Sequence, residues 1–155
     1  MSLDDAFSSL DWGNRKFEPR AIAGLMCGRA HAAFLGMGYH AHGADWIELA
    51  LPWRADLVGV AETGVFASGP IISLLDNATS MSVWIRHGAF RPQATLDLRV
   101  DYMRAAARGA TVIGRGECYQ ITRSIAFVRG IAHDGDPSDP VAHVVGTFMI
   151  TATPA

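Results

Sequence analysis

One long apolar segment constrains the fold of this chain more than any other feature. Residues 68–83 read SGPIISLLDNATSMSV. Ser68 as N-cap and Pro70 in the first turn predict a helix that begins near residue 69, with Gly69 permitting close approach to its end. Apolar side chains cover well over half of its circumference: Ile71, Ile72, Leu74, Leu75, Ala78, Met81 and Trp84. A helix of this kind is surrounded by other elements, so we predict that it is central.

The predicted central helix carries one carboxylate, Asp76, in the middle of a narrow polar strip. The other members of the strip are Ser73, Asn77, Thr79 and Ser80. Burying an ionised carboxylate is costly unless hydrogen bonds compensate. Two interpretations stay open: Asp76 performs chemistry in a functional site, or it meets solvent or a nearby backbone group.

Composition places the chain among ordinary single-domain proteins. It has 155 residues, half of them hydrophobic, and its 13 basic and 15 acidic residues leave a net charge of −2. No basic field or polybasic cluster favours nucleic acid or a membrane surface as a partner. The acidic start, MSLDDA, is unlike a secretory signal, and no apolar run approaches the ~20 residues of a membrane span. We therefore expect a cytoplasmic protein.

Two cysteines and a pair of histidines are the candidates for a metal or redox site. Cys27 and Cys118 show no C-x-x-C spacing, which indicates packing in a reducing compartment rather than a disulfide or zinc site. His40 and His42 would share one face of a strand, a spacing that metals use, yet no third ligand is evident nearby. We predict no metal.

Helical and strand-like spacing divides the N-terminal third of the chain. Residues 1–18 are polar, with Trp12 and Phe17 as candidate anchors. Apolar residues at helical spacing over 19–34 predict a first amphipathic helix, ended by glycines at 36 and 38. Residues 39–53 follow as one or two strands, in which Ile47, Leu49 and Leu51 alternate with Trp46, Glu48 and Ala50. Residues 55–67 are predicted to form a loop.

Four strand-like segments follow the central helix: residues 94–103, 111–121, 124–133 and 141–151. Short turns separate them, so they should pair antiparallel. In the first segment Leu96, Leu98, Val100 and Tyr102 are predicted to share the face that the helix covers, and Thr95, Asp97, Arg99 and Asp101 the opposite face. The expected fold class is α+β, in one domain.

Four short motifs carry a resemblance to a known family. They are Leu74-Leu-Asp-Asn-Ala-Thr-Ser-Met81, Thr95-Leu-Asp-Leu-Arg-Val-Asp-Tyr-Met103, Ser124-Ile-Ala-Phe-Val128 and Val145-Gly-Thr-Phe148. In this order the chain resembles the hotdog-fold acyl-CoA thioesterases, and most closely the phenylacetic-acid-degradation (PaaI-like) group. The resemblance implies a single hotdog domain over 1–155, an antiparallel sheet wrapped around a central helix. Residues 1–36 are its N-terminal extension with an extra helix, and residues 37–151 are its core.

The resemblance also implies a site and a reaction. The amides of Ser68 and Gly69 would hold the thioester oxygen at the helix N-terminus, and Thr95 would assist the attacking water. Asp76 would act from a partner subunit as nucleophile or general base. The implied assembly is a dimer of sheets paired edge to edge, with a further tetramer. The substrate would be a small, aromatic or medium-chain acyl-CoA, with no cofactor besides the coenzyme A of the substrate itself.

This chain departs from the family pattern at the start of the helix. Many relatives have His-Gly-Gly where it has Ala67-Ser68-Gly69, and a loop residue that is often Asn falls near Ala61, with Glu62 the nearest polar substitute. Glu62, Asn77, Arg104 and Arg123 are the predicted substrate-binding residues, the two arginines as candidates for the coenzyme A phosphates. The departure keeps a non-catalytic acyl-CoA-binding module open as an alternative. Hydration or dehydration of an enoyl thioester is a third reading, although no histidine adjoins Asp76.

Overall fold

A six-stranded antiparallel sheet packed against one long helix forms the framework of the protein. The computed structural model describes residues 17–151. The helices are α1 (Pro19–Cys27), α2 (Ala30–Leu35) and α3 (Ser68–His87), with a 3-10 turn at Ala55–Leu57. The strands are β1 (Gly38–His42), β2 (Trp46–Leu51), β3 (Val58–Val60), β4 (Val65–Phe66), β5 (Gln93–Tyr102), β6 (Val112–Ile121), β7 (Ile125–His133) and β8 (Ala142–Ile150).

The large sheet has the strand order β1-β2-β6-β7-β8-β5, and every neighbouring pair is antiparallel. The four strands predicted after the central helix are thus β5 to β8, each within two residues of its predicted bounds. Strands β1 and β5 lie at the two edges of this sheet. The predicted α+β hotdog fold, with a sheet around a central helix, is confirmed.

Helix α3 packs directly on the sheet, because glycines of β6 leave room for its backbone. A Cβ atom added at Gly116 of β6 would lie 2.4 Å from the backbone carbonyl carbon of Ala78, and one at Gly114 would lie 2.6 Å from Leu74 Cγ. Real Cβ atoms do not approach that closely, so the helix backbone rests where side chains would otherwise stand. Leu74, Leu75 and Ala78 are fully buried in this contact.

The N-terminal region differs from its prediction. The single helix expected over 19–34 is two helices, because Gly28 caps α1 and the chain turns at Ala30, whose φ is 46°. Periodic spacing continues through this break, so the pattern alone concealed it. The extra N-terminal helix of the prediction is therefore α1 followed by α2. Phe17 packs against the core as expected, whereas Trp12 lies outside the described residues.

Two further local predictions are corrected. Residues 55–67 are not only a loop, since β3 and β4 pair within them as a small antiparallel ribbon that leads into α3. The N-cap of α3 is Ala67 rather than Ser68, and no side chain caps the helix. Among the described residues, no helix combines the length and the apolar character that crossing a bilayer requires.

Candidate active site

A strip of polar side chains runs along the side of α3 that the sheet does not bury. Ser73, Asp76, Asn77 and Ser80 are spaced three, one and three residues apart, so they lie on one side of the helix. All four are half-buried, while the opposite side of the helix is fully enclosed. Asp76 is therefore within reach of solvent, yet it also has a specific partner.

That partner is Thr95 on the edge strand β5. The Thr95 hydroxyl donates a hydrogen bond to Asp76 Oδ1 at 3.0 Å. The bond engages one carboxylate oxygen, and no protein donor to Oδ2 is found among residues 17–151. A carboxylate held by one oxygen and open at the other is suited to accept a proton from water.

The position of Thr95 corrects the predicted faces of β5. Plain alternation placed Thr95 on the face away from the helix, together with Asp97 and Arg99. A β-bulge shifts the register between Thr95 and Asp97, so that Thr95 pairs with Phe148 and Asp97 pairs with Thr147. The extra residue, Leu96, is 53% exposed instead of covered. The bulge turns the Thr95 hydroxyl to the helix side of the sheet.

The N-terminus of α3 presents two unpaired amide groups. The Ala67 N–H donates to Leu57 O at 2.9 Å, while the N–H groups of Ser68 and Gly69 find no acceptor in the described part of the chain. Both belong to the first helical turn, where no intrahelical acceptor exists, and the helix dipole adds positive potential there. A Cβ added at Gly69 would meet nothing within 4 Å, so this end is open to a ligand.

Tyr102, the last residue of β5, contacts the same turn. Its hydroxyl donates to the Ser68 carbonyl oxygen at 3.0 Å. The sequence predicts Tyr102 on the face of β5 that the helix covers, whereas the residue is 44% exposed. The contact joins residues 34 positions apart, and no local pattern in the sequence predicts such a pairing.

A cavity of about 300 Å³ opens beside Ser68. Its walls are mostly apolar: Val65, Phe66, Ile71, Met103, Ala106 and Val141. Arg104 also lines it, but the guanidinium is engaged by Asp134 at 2.6 Å and by Asp139 at 3.0 Å. The cavity therefore suits an uncharged, largely apolar group.

The predicted substrate-binding residues lie apart from one another. Asn77 lies next to Asp76 and donates to Ser73 O at 2.8 Å, while Glu62 is exposed in the turn between β3 and β4. Arg104 follows the end of β5. Arg123 lies in the β6–β7 turn, near the start of β5, because its neighbour Ser124 bonds Ile150 and Ile150 pairs with Gln93. The two arginines are thus at opposite ends of the sheet.

Two further contacts on the strip were not predicted. His31 Nε2 of α2 lies 3.1 Å from Ser73 Oγ, and Gln93 of β5 donates to Ser80 O and Oγ at 2.7 and 2.8 Å. These contacts join α3 to α2 on the N-terminal side of Asp76 and to β5 on its C-terminal side.

Within the described ranges no three His, Cys, Asp or Glu side chains lie close enough together to hold a metal ion. Burial raises the pKa of the thiols of Cys27 and Cys118 to about 11, so both are inert packing residues.

Comparison with known proteins identifies the family. The family model of the thioesterase superfamily matches residues 64–141, about half of the chain. A solved structure of a Pseudomonas aeruginosa protein superposes with a TM-score of 0.78 at 35% identity, covering 86% of this chain and 100% of that chain. The chain belongs to the thioesterase superfamily.

More distant members share the fold of this thioesterase. A thioesterase from Haemophilus influenzae has a TM-score of 0.76 at 18% identity, covering 88% of this chain and 92% of that chain. A mutant of the phenylacetic acid degradation protein PaaI from Thermus thermophilus has a TM-score of 0.66 at 24% identity, covering 77% of this chain and 96% of that chain. No curated protein matches the sequence. The predicted membership of the hotdog-fold thioesterases is confirmed, and the likeness to PaaI is a likeness of fold.

As a member of this superfamily the chain is a thioester hydrolase, so the groups of the site can be compared with what that reaction requires. Hydrolysis of a thioester needs an activated water, donors for the developing oxyanion and a pocket for the acyl group. The matched segment, residues 64–141, contains the helix amides, Asp76, Thr95 and all residues that line the apolar cavity. These groups are the candidates for the three functions.

Proposed function

We propose that this thioesterase hydrolyses an acyl-CoA thioester with an uncharged acyl group, with Asp76 as the group that activates water. The observation that carries the proposal is the Thr95–Asp76 hydrogen bond, which holds a half-buried carboxylate on the same helix whose first turn offers free amides. A base, an orienting hydroxyl and oxyanion donors are the parts that thioester hydrolysis requires.

In the proposed reaction Asp76 removes a proton from a water molecule, and Thr95 orients that water through its hydroxyl oxygen. The water oxygen forms a bond to the thioester carbon, and the carbonyl oxygen becomes an oxyanion held by the N–H groups of Ser68 and Gly69. The carbon–sulfur bond then breaks and coenzyme A leaves as a thiolate. The thiolate takes up the proton that Asp76 had removed, so that acid and free thiol are the products. Direct attack by Asp76 would give the same products through an acyl-enzyme anhydride.

The proposed site combines two protomers. Gly69 and Asp76 are two turns apart on one helix, about 10 Å along its axis. The amides at a helix N-terminus point away from the rest of the helix, so an oxygen bound there is farther still from Asp76 of the same chain. In a two-fold dimer, Asp76 of one protomer can approach the Gly69 amide of the other, and the arrangement forms two identical sites.

Strand β5 is the proposed dimer edge. It has ten residues and one unpaired side, whereas the other edge strand, β1, has five residues and packs against α1. Large apolar residues are exposed on and just after β5: Leu96 (53%), Tyr102 (44%) and Met103 (62%). Long exposed edges with apolar side chains are usually covered by a partner strand. A tetramer built from two such dimers completes the proposed assembly.

Release of free thiol from a panel of acyl-CoA substrates tests the proposal. The panel contains short, medium, long and phenylacetyl chains, together with a dicarboxylic acyl-CoA that the apolar cavity should reject. Asp76→Asn keeps the shape of the side chain and should lower kcat roughly a thousandfold. Asp97→Asn is the matched control, because Asp97 is an exposed carboxylate of the same strand as Thr95 and pairs with Thr147. An Asp76→Asn enzyme with full activity would refute the assignment.

Ala67 at the N-cap gives the binding-module alternative a concrete basis. No side chain caps α3, so the site has no imidazole at the position where many relatives have histidine. A non-catalytic module would bind the panel by calorimetry and release no thiol in any case. Turnover that Asp76→Asn abolishes would exclude this alternative.

A further inference from the structure

The hydrogen bond from Tyr102 acts on the peptide unit that supplies an oxyanion donor. The carbonyl of Ser68 and the N–H of Gly69 belong to one planar peptide group. Tyr102 donates to the carbonyl oxygen of that group at 3.0 Å, on the opposite end from the Gly69 N–H. Fixing the oxygen therefore fixes the direction in which the N–H points.

The same bond also strengthens the Gly69 N–H as a donor. A hydrogen bond accepted by a peptide carbonyl increases the polarisation of the whole amide, which makes its N–H a better donor to the next acceptor. The effect has a particular use here, because the first turn of α3 lacks a capping side chain and Pro70 contributes no N–H. The Ser68 carbonyl also takes part in the intrahelical hydrogen-bond pattern, so Tyr102 adds a second donor that helps to orient this turn.

Tyr102 is itself held in place by the pairing of β5 with β8 and by the contacts of the residues that follow it. Its backbone pairs with Ala142 of β8, and the next residue, Met103, donates to Val141 O at 2.8 Å. Arg104 then joins Asp134 through two hydrogen bonds of 2.9 and 2.6 Å. A tyrosine hydroxyl is protonated at neutral pH, and partial burial raises the pKa of Tyr102 further, so the group remains a donor.

We propose that Tyr102 is a positioning residue for the oxyanion site, acting through the Ser68–Gly69 peptide unit. The proposal rests on the proposed function, because it gives the Gly69 amide its role in holding the thioester oxygen. Tyr102 contacts the carbonyl end of the peptide unit, and the substrate contacts the N–H end. Tyr102 thus helps to orient the helix N-terminus, a role that a capping side chain at residue 67 would otherwise fill.

Tyr102→Phe tests this role, since it removes one hydroxyl and keeps the ring. We expect kcat to fall roughly five- to twentyfold with KM unchanged, less than the loss of a direct oxyanion donor, which costs about a hundred- to a thousandfold. In the ligand-free protein the Gly69 amide resonances should shift, because an amide nitrogen responds to the hydrogen bond on the preceding carbonyl. Tyr39→Phe is the matched control: its hydroxyl bonds the side chain of His42 at 2.9 Å, and its loss should leave kcat unchanged.

Each outcome decides the proposal. A shifted Gly69 amide with a lower kcat and an unchanged KM supports it, provided that thermal unfolding of the variant matches the wild type. An unshifted amide, an unchanged kcat or a loss confined to KM overturns it. Asp76→Asn, assayed beside Tyr102→Phe, reports separately on the proposed function. An Asp76→Asn enzyme that stays active overturns the chemistry assigned to Asp76, while the effect of Tyr102→Phe on kcat is still read from the active wild type.

Discussion

Thr95 gives Asp76 both an orientation and a polar neighbour for water. Its hydroxyl donates its one hydrogen bond to Asp76 Oδ1 at 3.0 Å. The lone pairs of the hydroxyl oxygen remain available to accept a hydrogen bond from a water molecule beside the carboxylate. The β-branched side chain restricts χ1, which limits the directions in which the hydroxyl can point. A threonine on a bulged edge strand is therefore a more rigid support than a serine on a loop would be.

Thr95→Val should lower kcat about tenfold, because it removes a hydrogen bond to a charged group while keeping the shape of the side chain. The proposed reaction gives this hydroxyl no contact with the substrate, so KM should change little. Thr147→Val on the neighbouring strand β8 is the matched control, since Thr147 pairs with Asp97 and lies on the other face of the sheet. Steady-state kinetics on both variants check the expectation, and equal kcat values for the two would contradict it.

For individual residues, the sequence predicts the position of some side chains of the site and not of others. Asp76 stands out because a carboxylate interrupts an apolar helix, and that signal is local. The helix-side position of Thr95 is not readable, since alternation over residues 95–102 looks continuous and no glycine marks the bulge at Leu96. Tyr102 and Ser68 are brought together only by the tertiary fold, so no local pattern in the sequence predicts their contact.

Among the elements, the connections at the end of β5 are held by one ionic cluster. Asp134, in the β7–β8 loop, accepts from Arg104 twice and from the Ala107 N–H at 2.7 Å, and its side chain is only 8% exposed. Chiefly through the hydrogen bonds from Arg104, the pKa of Asp134 is held well below the usual range of a carboxyl. The cluster joins the segment after β5, which lines the cavity, to the opposite loop.

Asp134→Asn should lower the free energy of unfolding by about 2 kcal/mol at pH 7, because three hydrogen bonds to a buried charge are weakened. A carboxyl whose pKa is depressed by folding stabilises the protein above its unfolded pKa of about 4 and loses that contribution as the pH falls below it. The difference between wild type and variant should therefore shrink from pH 5 to pH 3. Urea unfolding at several pH values measures it.

Asp139→Asn is the companion to this experiment. Asp139 also contacts Arg104, at 3.0 Å, but its side chain is 69% exposed. Water screens such a pair, so the variant should be clearly more stable than Asp134→Asn. Equal losses for the two variants, or a difference independent of pH, would show that the buried carboxylate does not hold the cluster.

The elements themselves were predictable to the extent that their signals are periodic. Central helix α3 and strands β5 to β8 have long, regular patterns, and their predicted bounds agree with the structure within a few residues. The ribbon β3–β4 was missed because two- and three-residue strands are too short for alternation to register. The break between α1 and α2 was missed because apolar spacing continues across Gly28, and only the backbone turn at Ala30 reveals it.

At the scale of the whole molecule, we propose that a second copy of the chain completes the site. Sequence patterns predict one chain's fold, but they do not say which edge of the sheet meets a partner. The described chain adds three observations: the unpaired ten-residue edge β5, the exposed apolar residues on it, and the two-turn separation of Gly69 from Asp76. Together they favour a two-fold dimer through β5 over a site contained in one chain.

Mixed dimers test this arrangement directly. Gly69→Leu places a side chain in the open space at the helix N-terminus, so each homodimer of this variant should be inactive, as should each homodimer of Asp76→Asn. A heterodimer of the two has one site with both defects and one site with none, because each protomer supplies Gly69 to one site and Asp76 to the other. Co-expression with two different tags, purification through both and separation of the dimer from any tetramer by gel filtration isolate this species. It should recover about half of the wild-type kcat per dimer. A heterodimer as inactive as its parents would mean that Gly69 and Asp76 of the same chain act together.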